Sequence, residues 1–174
     1  MIKINKTAGV DEVGRGCLAG PVFAAAVILK KNIETKDIKD SKKISFKKRI
    51  LISNYIKKNS IYAIGAASVD EINKINILNA SLLSMKRALK KIKSKPSIAY
   101  IDGIFVPKNI NIKCKAIIKA DEKITSVAAA SIVAKVARDL FMIKLSKKYP
   151  NYNWNKNFGY GTAEHLYRIR KYGI

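Results

Sequence analysis

Asp11 and Glu12 are the residues of this chain best suited to chemistry. They stand side by side at the end of the apolar run Ala8-Gly9-Val10, and Gly14-Arg15-Gly16 follows them. The chain holds 35 Lys plus Arg against 12 Asp plus Glu, a formal charge of +23, so two adjacent acids are a notable use of a scarce residue type. Clustered carboxylate oxygens suit hard divalent cations. Two such ions, about 3.5–4 Å apart, can neutralise a phosphodiester and activate a water against it.

A two-ion site needs more acids than these two. Asp102 closes the apolar run Ala99-Tyr100-Ile101 and precedes Gly103, so it is either a ligand at a strand end or one half of an Asp-Gly turn. Asp121 and Asp139 compete for a further place. On one continuous helix they would share a face but lie roughly 27 Å apart, so both cannot serve one ion pair. Asp139 has Lys135 one turn before it, which an ordinary helix ion pair explains. Asp121 sits at the helix entry and is the better ligand candidate. Asp70 and Glu71 form a second adjacent pair at a helix start, where capping accounts for them. Asp11 and Glu12 are neighbours on a strand and point to opposite faces, so a bend after them is needed to bring both to one site.

The basic and aromatic candidates are more dispersed. Gly14-Arg15-Gly16 is too short for a phosphate loop, yet its glycines allow close approach of backbone to a ligand. Asp40-Ser41-Lys42-Lys43 could meet phosphate or be a solvated charge run. In Phe158-Gly159-Tyr160-Gly161, the tyrosine could stack on a base or sugar, or anchor its own loop. His165, the single histidine, reads as structural.

Positioning these groups requires a sheet. Thr7 to Val13 predicts a first strand, Val22 to Leu29 a buried second and Ile61 to Ser68 a third. Lys30 to Ser45 reads as loop and Phe46 to Lys58 as helix. Leu78, Leu82, Met85, Leu89 and Ile92 mark one helical face, stopped by Pro96. Strands over Ser97 to Ile101 and Asn111 to Lys119 come next. Glu122 to Lys148 reads as one long helix ended by Pro150, then a polar aromatic loop and a short helix over Thr162 to Lys171. Consecutive early strands suggest antiparallel pairing and the later helix–strand alternation a parallel part. The expected class is α/β, a mixed sheet flanked by helices.

Composition narrows the partners. The 48% hydrophobic share supports a real core, and the positive charge favours a polyanion, though a Lys-, Ile- and Asn-rich composition contributes to it. Cys17 and Cys114 stand far apart with no CxxC pair, which argues against zinc and fits a reducing cytosol. No apolar run approaches the roughly 18 residues of a membrane span. The expectation is a soluble cytoplasmic monomer without a membrane partner.

Taken in order, several stretches resemble the ribonuclease HII family. They are Gly9-Val10-Asp11-Glu12-Val13-Gly14-Arg15-Gly16, Leu18-Ala19-Gly20-Pro21-Val22, Asp40-Ser41-Lys42, Ile101-Asp102-Gly103, Lys119-Ala120-Asp121, the run from Ala128 to Asp139, and Gly159-Tyr160-Gly161-Thr162 with His165. The resemblance implies an RNase H-like catalytic domain over 1–148, with a C-terminal loop and short helix over 149–174 packed on it. It implies cleavage of the RNA strand in RNA–DNA hybrids, including single ribonucleotides embedded in duplex DNA, leaving 3′-hydroxyl and 5′-phosphate ends. It assigns Mg²⁺ or Mn²⁺, as a two-ion site, to Asp11, Glu12, Asp102 and Asp121. It gives sensing of the ribose 2′-hydroxyl to Gly14, Arg15 and Gly16, sugar stacking to Tyr160, and phosphate contacts to Lys42 and Lys135. Cys17 and Ala137 depart from the commoner family residues. Two other classes remain open on the residues alone: a non-catalytic basic nucleic-acid-binding protein, and a resolvase-like DNA nuclease of the same fold.

Overall fold

The computed structural model describes residues 7–39 and 44–174. Lys42 and its neighbours in the Asp40–Lys43 stretch lie outside the described residues.

Five strands form one sheet: β1 (Thr7–Val13), β2 (Val22–Leu29), β3 (Ser60–Ala67), β4 (Ile98–Asp102) and β5 (Lys113–Ile117), in the order β3-β2-β1-β4-β5. The first three pair antiparallel, while β1–β4 and β4–β5 are parallel. The helices are α1 (Lys36–Lys39), α2 (Phe46–Asn59), α3 (Val69–Lys91), α4 (Ala120–Lys123), α5 (Thr125–Lys148), α6 (Trp154–Asn157) and α7 (Ala163–Tyr172). A 3-10 turn at Pro150–Tyr152 follows α5. No helix among the described residues is long and apolar enough to cross a membrane.

The mixed sheet expected from the sequence is present, with three local corrections. The stretch expected as loop between β2 and α2 contains the short α1. The long C-terminal helix is two helices, because Ile124 is extended (φ −126, ψ 110) and separates α4 from α5. The 27 Å axial separation inferred for one continuous helix therefore does not apply to Asp121 and Asp139. The polar aromatic loop also contains the 3-10 turn and α6.

Alternation along the strands assigns each face a helix layer. Val10, Ala24, Ala26 and Ile101 face α3 and meet Met85, Ala88 and Leu89. Ala25 and Val27 face the other way, onto Ala129, Ala130 and Val133 of α5 and Ile52 and Ile56 of α2. Small residues let these layers close tightly. A Cβ at Gly9 would collide with the α5 backbone at Ser126 and Val127, so a glycine two residues before Asp11 lets α5 lie directly on the strand. α3 starts with a capping box, in which Ser68 and Glu71 bond each other's backbone N–H groups. Glu71 also pairs with Arg87, so the cap is held from within α3 as well.

Candidate active site

The parallel pairing of β1 with β4 brings two acids together. The ladder ends at Val10 opposite Ile101, so Asp11 and Asp102 each follow its last pair, and the charge of Asp102 reaches the Asp11 carboxyl. Asp11 is also opposite Ala25 on β2, whose side chain packs beneath α5. Asp11 thus faces α5, where the Ser131 hydroxyl hydrogen-bonds its carboxyl. Glu12 turns toward α3 and lines a cleft there with Arg15 and Asp102.

Electrostatics make this strand end unusual. Burial, and then the charges of Glu12 and Asp102, push the Asp11 carboxyl up to about 8. The bonds from Ser131 and from the Glu12 N–H, the latter at 2.7 Å, oppose that rise without cancelling it. Glu12 is raised by burial too, with Asp102 adding to it and Arg15 working against it through a 3.2 Å ion pair. Carboxyls that repel each other in this way are oxygen donors of the kind that a hard divalent cation would relieve.

Asp102 and Asp121 are linked through backbone. The Ala120 N–H donates to Asp102 Oδ1 at 2.7 Å, and Asp121 is the next residue of α4. Lys119 takes a left-handed conformation (φ 54) to turn the chain into α4. Among the described residues, no three His, Cys, Asp or Glu side chains converge closely enough to hold a metal ion. The four acids form a chain of neighbours: Asp11 beside Glu12, both within electrostatic reach of Asp102, and Asp102 bonded next to Asp121.

The remaining candidates gather around the turn after β1. Gly14 has φ +110, and the Cys17 N–H bonds its carbonyl at 3.2 Å, closing a tight turn. That turn presents Arg15, and Gly16 has open space where a side chain would stand. The Leu18 N–H bonds the Gly159 carbonyl at 2.8 Å, and Cys17 bridges Tyr160, so the tyrosine loop is laid beside the glycine turn. Burial and the neighbouring Cys17 thiol push the Tyr160 hydroxyl up to about 12. Lys135 Nζ sits 4.8 Å from the centre of the Tyr160 ring and 5.2 Å from that of Phe158. It also bonds Asp139 at 2.8 Å, the helix ion pair that the sequence suggested. His165 is buried and structural: it accepts the Trp154 indole N–H at 2.9 Å, and its other ring nitrogen lies 2.8 Å from the Tyr160 carbonyl.

The sequence offers Arg138 only as a charge beside Asp139 and gives Ser131 no role. Arg138 is fully buried and donates to the carbonyls of Pro21, Phe158 and Ala19 at 2.8–2.9 Å. It joins the loop after β1 to the loop that carries Tyr160. The available signal was a basic residue on the apolar side of an alanine-rich helix, where a lone charge requires partners. Ser131 could be found only by knowing that α5 lies on β1.

A family model described as Ribonuclease HII matches residues 8–174. The chain is 59% identical over 167 residues to ribonuclease HII of Pelagibacter ubique, covering 96% of this chain and 90% of that one. It superposes on the crystal structure of ribonuclease H2 from Pyrococcus horikoshii with a TM-score of 0.78 at 30% identity, over 97% of this chain and 89% of the other. It also shares its fold with Bst-RNase HIII, solved in complex with Mn²⁺, with a TM-score of 0.73 at 24% identity, over 83% of this chain and 55% of that one.

Proposed function

The chain belongs to the ribonuclease HII family, and on that premise we propose that Asp11, Glu12, Asp102 and Asp121 hold the divalent cations of its active site. The enzyme is a metal-dependent ribonuclease H, an endonuclease that hydrolyses the RNA strand of RNA–DNA hybrids. The observation that carries the residue assignment is the parallel register of β1 and β4. It ends just before Asp11 and Asp102, and burial with the nearby charges of Glu12 and Asp102 raises the Asp11 carboxyl, which supports a cation there.

When bound, the ions, Mg²⁺ or Mn²⁺, supply charge neutralisation at the phosphate and an activated water. The protein's part is to orient and to select. Ser131 and the Glu12 N–H fix the Asp11 carboxyl, and Asp102 fixes α4 and with it Asp121. The Gly14–Gly16 turn offers backbone close enough to read a ribose 2′-hydroxyl, the group that separates RNA from DNA. Tyr160, held beside that turn by the Gly159 carbonyl and by Arg138, stacks on the adjoining sugar. Lys135 and Lys42 add phosphate affinity that falls with salt. The substrates include duplex DNA carrying one ribonucleotide, the products end in 3′-hydroxyl and 5′-phosphate, and the work belongs to a cytoplasmic monomer.

The test is a duplex with a single embedded ribonucleotide, incubated with the protein and Mg²⁺ or Mn²⁺. A nick leaving 5′-phosphate at the ribonucleotide is the expected result. Tight binding with no nick in either ion would support the non-catalytic alternative, and equal cutting of all-DNA duplex would support a DNA nuclease.

A further inference from the structure

The cleft that contains Glu12, Arg15 and Asp102 has a second wall without charge. It encloses about 240 Å³, and its lining includes Ile104, Phe105 and Ile118 together with Leu78, Leu82 and Met85 of α3. The first three are solvent-exposed: Ile104 by 66%, Phe105 by 48% and Ile118 by 62%. Single exposed apolar residues are ordinary on a protein surface, but three in one cleft mark an interaction site. Ile104 and Phe105 directly follow Asp102-Gly103 along the chain, and Ile118 directly follows Ile117, which is opposite Asp102 on β5.

We propose that Ile104, Phe105 and Ile118 form an apolar contact surface for the nucleic-acid duplex, meeting sugar faces and base edges beside the scissile phosphate. The inference rests on the proposed active site, since the same cleft holds two of its acids. Continuity with that site identifies the occupant. A phosphodiester brought to Asp102 carries its neighbouring sugars into the same cleft. The minor groove of an A-like hybrid is wide and shallow and displays sugars and base edges, so a low apolar rim can lie against it.

Charge explains why this wall is apolar in a chain with 35 Lys plus Arg. An ammonium among these carboxyls would pair with them and compete with divalent ions. Ile and Phe add contact without doing so. They also add affinity that does not depend on phosphate neutralisation, and so leave the salt dependence alone. Apolar contact of this kind carries no base identity, which suits an enzyme that reads sugar chemistry.

The test uses the full-length double variant Ile104→Ser/Phe105→Ser, whose two sites are exposed and whose fold is checked by thermal melting. Affinity for an RNA–DNA hybrid is titrated in a chelator, which keeps the hybrid uncut, at several salt concentrations, beside wild type and Ile104→Leu/Phe105→Leu. The expected result is about tenfold weaker binding by the Ser variant, about 1.4 kcal/mol. The slope of log affinity against log salt stays unchanged, and the Leu variant stays within about threefold of wild type. Affinity of the Ser variant within about twofold of wild type would overturn the proposal, as would a loss confined to a changed salt slope. Nicking of a ribonucleotide duplex by wild type is scored separately, so failure of the nuclease assignment is distinguished from failure of the contact surface.

Discussion

Asp102 Oδ1 accepts the backbone N–H of Ala120 at 2.7 Å. One carboxyl therefore has two duties, since its charge faces Asp11 and Glu12 while its oxygen anchors the helix that bears Asp121. Substitution can separate them. Asp102→Asn keeps an acceptor for Ala120 and removes the charge, so it should fold normally and lose cleavage. Asp102→Ala should lose cleavage and also destabilise the protein by about 1–2 kcal/mol, because a part-buried backbone N–H loses its partner. Denaturant midpoints of the two variants, read beside nicking assays, check this.

The raised Asp11 carboxyl gives the metal-free enzyme a pH dependence of known sign. A folded-state value of about 8, above the usual carboxylate range, means the folded state holds a proton that the unfolded state gives up. The stability linked to that proton is complete below the ordinary carboxylate range and is lost as pH rises toward about 8. Urea midpoints in a chelator should therefore fall between about pH 4 and pH 8, and Asp11→Asn should flatten the profile while abolishing cleavage. A chelated wild type whose midpoint rises over that window would refute the assignment.

Glu71 shows the opposite sign. The Arg87 pair and the bond from the Ser68 N–H pull its carboxyl down to about 2. Its contribution is present above the ordinary carboxylate range and disappears as pH falls toward about 2. Glu71→Gln should lower the melting temperature at neutral pH, weaken the acid-side decline and leave cleavage untouched, because Glu71 lines the cleft of Pro21 and Phe23 and not the one that holds Glu12 and Asp102. Calorimetry between pH 2 and pH 7 reads the difference.

Arg138 holds two loops through three carbonyls, and nothing smaller can reach them all. Arg138→Met leaves those part-buried acceptors unbonded and should cost about 3–5 kcal/mol. Arg138→Lys, with fewer donors and no planar fork, should fall between Met and wild type. Equilibrium unfolding of the three proteins gives the order.

Tyr160 is predicted to act through its ring. Tyr160→Phe should keep most of the cleavage of a ribonucleotide-bearing duplex. Tyr160→Ala should raise KM by roughly tenfold, the scale of one lost stacking contact. Steady-state kinetics with a single-ribonucleotide substrate separates ring from hydroxyl.

Much of the molecule could be read directly along the chain. The unbroken apolar run from Val22 to Leu29 announces a strand buried on both faces, because only an interior strand has apolar neighbours on both sides. The helical spacing from Leu78 to Ile92 announces α3, and the Asp70-Glu71 pair announces a capped start, since those signals are local in sequence, while Ser68, expected at the end of the strand, turns out to be the N-cap. The extended residue at Ile124 was missed because an alanine-rich run after it carries helical propensity and nothing nearby reports the break.

The sequence by itself determined which acids were available and that most sat at predicted element ends: few carboxyls exist in so basic a chain, and strand and helix signals are local. Only the tertiary structure decided their company. The parallel pairing of Val10 with Ile101 links residues 91 positions apart and brings the charge of Asp102 to Asp11, and α5 lies across Gly9 where Asp11 is buried. Register and helix approach are collective outcomes of sheet pairing and core packing, so no single stretch of chain encodes them.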